Sequence, residues 1–202
     1  MKNKYSFSEL VKIAYSLLIT KIVYPKARLI RRPFYIRGKR SFVYGKNFTT
    51  GYGCRFDLDG TKKTLFIGDD CQIGDSVHIV AYEKVEIGDG CLFASKIFVS
   101  DTNHGTYDNT DDSSRPSVQP AKRTLVTKPV KIGNNVWVGD NVVILSGVEI
   151  GDGCIIGANS VVTHDIRKNS IVAGAPAKYL KRWDSKVDKW VKTTEIDIST
   201  EY

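Results

Sequence analysis

With 202 residues the chain is long enough for one domain with a full hydrophobic core, and its four cysteines include no CxxC pair, which argues against a disulfide or zinc framework and fits a reducing cytoplasm. The net charge of +8 is unevenly spread: residues 1–46 hold 12 Lys and Arg against one Glu, and the remainder is slightly acidic. A nucleic acid, an anionic membrane surface or an acidic polysaccharide could each use such a basic segment, and a merely solvated face is the bland reading.

Ser6-Phe7-Ser8-Glu9 reads as a capping box, so a helix should follow and end before Pro25. Leu10, Ile13, Ala14, Leu17, Leu18 and Ile22 fall on one side of it, an apolar stripe expected to dock on the body or rest on a membrane surface. Its longest charge-free run, Ile13 to Thr20, is far below the ~20 residues that span a bilayer, so neither a signal peptide nor a membrane anchor is expected.

From Ile36 a period of six shows weakly as Ile36, Phe42, Phe48 and Cys54, then clearly at Ile67, Ile73, Ile79 and Val85, and again at Ile87, Phe93 and Val99. It is strongest at Ile132, Val138, Ile144, Ile150, Ile156 and Val162; if roughly a quarter of positions are Ile, Val or Leu, six in register arise by chance about twice in ten thousand. The fifth residue of each of these units is Val136, Val142, Val148, Cys154, Ser160 or Ile166, which supplies a second, smaller inward side chain. Cys71 and Cys91 hold the same place as Cys154, so these cysteines read as core filler. Six-residue units fit neither a helix nor a hairpin but suit a parallel β-helix, with short strands and sharp turns where Gly and Asn take positive φ.

The pattern breaks between Val99 and Ile132, where about 100–131 is polar, contains proline and is too long for a turn; such loops are commonly functional. His104 stands at its start, anchored on the scaffold while the rest can form a flap. Only two other histidines exist, His78 and His164, both at outward positions. Leu180, Trp183, Val187 and Trp190 follow at spacings that predict a closing helix. The expected layout is therefore 1–35 for the helix and lead-in, 36–177 for the repeat domain and 178–202 for the C-terminal helix and tail.

The units I-G-x-x-x-small, and the run NNVWVGDNVVILSGVEIGDG with IGANSVVTHDI and AGAPAK, resemble the hexapeptide-repeat acyltransferases. That resemblance implies an all-β, left-handed three-sided β-helix, a homotrimer, acetyl-CoA as acyl donor and no metal. Thr102-Asn103-His104 falls where the galactoside and maltose O-acetyltransferases carry their catalytic histidine, which makes His104 the candidate general base and Asn103 its neighbour on the substrate. For coenzyme A the resemblance implies Trp137 along the pantetheine arm, backbone near Asp140 and Ala158, the pair Thr163-His164, and Lys178 and Lys181 on the phosphates in place of the family's arginines. Where the family places an Asn or Asp on the acceptor, this chain has Ser76, flanked by Asp75 and His78.

The segments IRRPFYIRGKRSFVYGKNFTTGYGCRFD and SKIFVSDTNHGTYD are similar to bacterial O-acetyltransferases of O-antigen and capsular sugars. They imply a sugar or lipid-linked sugar acceptor and no nucleic acid, in the cytoplasm or peripherally at the inner membrane face. An amino sugar or a small-molecule hydroxyl belongs to the same chemistry. Of the other classes on this fold, a zinc carbonic anhydrase needs two close histidines, which His104 lacks, and a non-catalytic binding module leaves the long loop, Trp137 and the two lysines without a role.

Overall fold

The computed structural model describes residues 5–108 and 114–193, and stacked six-residue units account for most of them. Each coil contributes one short strand to each of three parallel sheets, which form the faces of a prism. The first face runs from Leu29–Ile30 to Ser170–Ala173. The second holds Phe34–Arg37, Cys54–Leu58, His78–Ala81, Phe98–Ser100, Val143–Ile144 and Val161–Val162, in that spatial order. The third runs from Phe42–Tyr44 to Glu149–Ile150. Trp137 pairs with Ile155 and Val143 with Val161, one coil apart. Strand pairing begins at Leu29, before the period becomes visible at Ile36.

All six aliphatic residues of the strongest run are buried, as are the six fifth-position residues beneath them. The four cysteines are free and buried. Burial of both residues of each unit is what makes the period legible, because every inward side chain must be apolar or bonded. Ser160 meets that condition by donating to Gly157 O at 2.6 Å and accepting from the Gly174 N–H at 3.0 Å.

The turns take the expected positive φ at both residue types, with Gly90 at 66° and Gly153 at 65°. Asn135, Asn141, Asn159 and Asn169 take the positive φ, at 55–60°. The Gly after each column residue is needed for close stacking instead: a Cβ on Gly139 would lie 2.7 Å from Ala158 N. At the corners a carboxylate or amide accepts a backbone N–H from the neighbouring coil, as Asp89 Oδ1 does from Asp69 at 2.7 Å and Asn134 Oδ1 from Asp89 at 2.8 Å.

The helix Phe7–Val23 forms with the predicted capping box, Ser6 Oγ accepting from Glu9 N and Glu9 Oε2 from Ser6 N. Its docking face is the reverse of the expected one. Ser16 and Thr20 are buried, whereas Leu10, Ala14, Leu17, Leu18 and Ile22 face outward. The reason is the surface it covers, the edge strand Leu29–Ile30, whose backbone needs hydrogen-bond partners. Ile30 N–H donates to Thr20 Oγ1 at 2.9 Å and Arg32 N–H to Ser16 Oγ at 3.2 Å.

At the other end the helix expected over Leu180 to Trp190 is replaced by a β-hairpin among the described residues. Lys178–Asp184 pairs antiparallel with Ser170–Ala173, and Lys189–Lys192 pairs with it in turn. The last coil leaves its edge open, and a hairpin satisfies that edge where a helix could not. Trp183 and Trp190, read as one helical stripe, face each other across the hairpin with ring centroids 5.4 Å apart. Residues 194–202 of the expected tail lie outside the described residues.

Candidate active site

The interruption of the coil is itself built on a hairpin. Ser100 ends a second-face strand, Thr102–His104 then pairs antiparallel with Leu125–Thr127, and the third face resumes at Val130. The irregular part is thus 105–124, of which 109–113 lie outside the described residues.

Asp101 anchors the base of this hairpin. It is fully buried, and its carboxylate accepts the backbone N–H groups of Tyr82, Glu83 and Lys84 at 2.8–3.0 Å. Its carbonyl accepts the Lys128 N–H of the returning leg at 2.9 Å. Nothing in the repeat pattern marks Asp101, which sits where the pattern stops. Tyr107 Oη donates to His104 O at 2.7 Å and Arg123 donates to Tyr107 Oη at 3.1 Å, so the histidine's backbone is held from the loop side as well.

His104 and Asn103 line a cavity of about 420 Å³ over the outward side of the second face, together with Phe98, Tyr82, His78 and Asp57. Asn103 Nδ2 donates to Ser146 Oγ on the next coil at 2.7 Å. His78 packs on Phe98 at 5.2 Å and its Nε2 lies 3.0 Å from Asp57 Oδ2. Burial works against the Asp57 charge, but hydrogen bonds from Arg55 and His78 and the charges of Arg55 and Arg37 outweigh it, holding its pKa below the usual carboxylate value. Sequence reasoning passed over Asp57 and left His78 on the surface. The one available signal was that both occupy outward positions of neighbouring strands, which the register makes adjacent only once the coil lengths are known.

Ser76 and Asp75 do not line this cavity. They form the turn between the first and second faces, where Ser76 takes a φ of 56° and Asp75 Oδ1 accepts the Tyr52 N–H at 2.7 Å. The residue of that stretch that does line the cavity is His78.

The residues expected at coenzyme A fall into two groups. Half-exposed Trp137 lies on an outward row of the first face that continues through Ile155 and Ile171 to Lys181, three strands on, or about 14 Å. Asp140 and Ala158 stand on successive coils at the adjoining corner, with Asp140 Oδ1 accepting the Ser95 N–H at 2.8 Å. Lys178 pairs with Ala173 beside that corner. Thr163 and His164, joined by a 2.8 Å side-chain hydrogen bond, lie at the opposite corner of the second face. That is the corner from which the His104 hairpin springs, two coils earlier. A single chain therefore separates Trp137 from His104 by the width of the second face. No cluster of His, Cys, Asp or Glu able to hold a metal ion occurs among the described residues.

Residues 129–164 match the family pattern described as bacterial transferase hexapeptide (six repeats). Over 192 residues the chain is 40% identical to an Escherichia coli K12 protein named as a lipopolysaccharide biosynthesis O-acetyl transferase, WbbJ, covering 95% of this chain and 97% of that one. The galactoside O-acetyltransferase of the same organism is 35% identical over 117 residues, 58% of this chain and 53% of that one. Among solved structures, a mutant of AntD, an N-acyltransferase from Bacillus cereus in complex with dTDP-4-amino-4,6-dideoxyglucose and coenzyme A, superposes with a TM-score of 0.68. That likeness covers 93% of this chain and 94% of that chain at 22% identity, and it shows the left-handed β-helix alone.

Proposed function

The chain belongs to the hexapeptide-repeat O-acetyltransferases, and from that membership we propose that it moves an acetyl group from acetyl-CoA to a sugar hydroxyl in surface-polysaccharide biosynthesis, with His104 as general base. The observation that carries this reading is the placing of His104, on a hairpin clamped at its root by Asp101, beside a cavity lined by polar and aromatic side chains. The imidazole takes the proton as the sugar oxygen attacks the thioester carbonyl; the C–O bond forms, the C–S bond breaks, and the thiolate leaves as coenzyme A. No acyl-enzyme is needed, since all four cysteines are buried. The name of the E. coli relative supports a lipopolysaccharide-type acceptor.

Coenzyme A would lie along the row from Trp137 to Lys181, with Lys178 and Lys181 on its phosphates, Asp140 and Ala158 at the corner, and Thr163 and His164 contributed across a subunit boundary. Because one chain holds Trp137 and His104 apart, the reading requires a homotrimer in which neighbouring chains complete each site. His104→Ala should lower kcat by ~10²–10⁴ with the KM for acetyl-CoA unchanged. Coenzyme A release with sugar acceptors measures it, and full activity in that variant removes His104 from the mechanism. A product stable to mild base would mark an amide and an amine acceptor instead.

The basic N-terminal segment is the peripheral contact with an anionic membrane surface. Phe7, Leu18 and Ile22 are 82%, 61% and 70% exposed along one side of the helix, with Lys12 and Lys21 beside them. Apolar side chains flanked by lysines suit the headgroup boundary of an anionic bilayer. No helix among the described residues is long and apolar enough to cross a membrane. The protein should co-sediment with vesicles containing anionic lipid and not with neutral ones, and Phe7→Glu/Leu18→Glu/Ile22→Glu should abolish this. Retained binding in that variant, or its loss of the trimer, assigns the face to something other than lipid.

A further inference from the structure

The cavity beside His104 extends along the second face toward the helix end of the prism, and its far wall is a charged cluster that the acyl-transfer chemistry does not use. Register places Arg37, Asp57, Val80 and Ser100 on one outward row and Tyr35, Arg55, His78 and Phe98 on the next. Ser100 adjoins the root of the His104 hairpin, so Arg37 stands three strand spacings away, about 14 Å. Asp57 is the hub. Its side chain is only 11% exposed, and it takes Arg55 Nε at 2.7 Å and His78 Nε2 at 3.0 Å on Oδ2.

A structural ion pair normally uses a guanidinium through two parallel N–H bonds. Here Asp57 meets Arg55 only through Nε, and Arg37 Nε stands off at 3.5 Å. Oδ1 of Asp57 is buried with no hydrogen-bond partner among the described residues. The terminal nitrogens of both arginines are likewise without partners among them, and the Arg37 side chain is 76% exposed. The cluster carries two permanent positive charges against one negative, with its unused donors turned to solvent. Such an arrangement is incomplete in a specific way: an anion bridging the two guanidinium ends would use those donors and draw Arg37 onto Oδ1.

We infer that Arg37 and Arg55, held side-on by Asp57, form an anion subsite for the acceptor, which therefore carries a phosphate, diphosphate or carboxylate at a distance from the hydroxyl that is acylated, toward the helix end of the cavity. Phe98 and the His78 ring, between this subsite and His104, give the sugar an apolar floor. The inference rests on the acyl-transfer reading only in calling the ligand an acceptor.

The probe is inorganic pyrophosphate, titrated calorimetrically at low ionic strength into protein saturated with coenzyme A, so that the donor groove is already filled. Native protein should bind it, and Arg37→Gln/Arg55→Gln should weaken binding at least tenfold at a temperature where circular dichroism shows that variant still folded, although its melting temperature falls with the loss of the Asp57 pairings. Arg37→Lys/Arg55→Lys, which keeps the charge and loses the fork, should fall between. Absence of binding to the native protein, or equal binding by the Gln variant, overturns the subsite and leaves the arginines as braces for Asp57. Uridine diphosphate, farnesyl diphosphate and glucuronate, each used to displace pyrophosphate, separate a nucleotide-linked, a lipid-linked and an acidic-sugar source. Failure of all three to compete also overturns it. Coenzyme A binding, read in the saturating step, stands apart: if it fails while pyrophosphate still depends on Arg37 and Arg55, the acyl-transfer reading falls and the anion subsite remains.

Discussion

Asp101→Asn tests whether the hairpin that presents His104 is held by its root. In the native chain one fully buried carboxylate accepts three backbone N–H groups, from Tyr82, Glu83 and Lys84. A hydrogen bond to a charged acceptor contributes about 1.5–3 kcal/mol and a neutral one about 0.5–1.5, so removing the charge while keeping an oxygen costs about 1 kcal/mol per bond, or about 3 kcal/mol. For a domain of this size each kcal/mol shifts the melting temperature by about 2–4 °C, which gives a fall of about 6–12 °C. The measurement is thermal unfolding by circular dichroism at fixed protein concentration, since oligomerisation makes the midpoint concentration-dependent. Acetyl transfer assayed well below the transition should fall as well, because the clamp also sets where His104 stands. A melting point within about 2 °C of the native protein would refute the reasoning: the three N–H groups would then be satisfied without the charge.

Two further outcomes follow from burial and charge. Burial pushes the Cys54 thiol up to about 11, and all four cysteines lie within the prism, so a disulfide reagent at mildly alkaline pH should modify none in the folded protein and all four in guanidinium. A thiol that titrates rapidly in the native state would place a cysteine at the surface and reopen covalent catalysis. For Asp57 the folded pKa lies below the unfolded value near 4, so its contribution is present above about pH 4 and disappears as the pH falls through the depressed folded value. The melting-temperature gap between native protein and Asp57→Asn should therefore be constant from neutral pH to about 5 and close below about 4; a gap that persists in acid would mean the carboxylate stabilises by shape and not by charge.

What could be read in the sequence was whatever points inward. Ile132 through Val162 had to be apolar at a fixed interval because each fills the same axis, and the cysteines and Ser160 betrayed their burial by taking the small position of the unit. The place of His104, at the end of a strand where the loop begins, was legible, although Asp101, which fixes it, was not, since one aspartate at the end of a repeat looks like any turn residue. Residues that meet through stacking were hidden. Asp57 and His78 are separated by an irregular coil, and their adjacency depends on a register that the longer early coils obscure. The helix misled because hydrophobic patterning assumes an apolar surface beneath, whereas Ser16 and Thr20 answer a row of backbone donors and acceptors. The C-terminal spacing of Trp183 and Trp190 misled for a related reason: an open sheet edge overrides helical periodicity.

Both terminations of the first face have a consequence for the size of the particle. A parallel ladder has no intrinsic stop, because each coil offers its successor the same edge that it received from its predecessor. Here the leading edge is filled by two hydroxyls of a helix and the trailing edge by an antiparallel hairpin, neither of which another copy can imitate. Stripped of those two closures, coils from separate molecules would match one another as well as they match within the chain, and assembly would propagate as an open filament. The helix and hairpin thus set the length of the column, leaving association through the sides of the prism as the route to a finite particle.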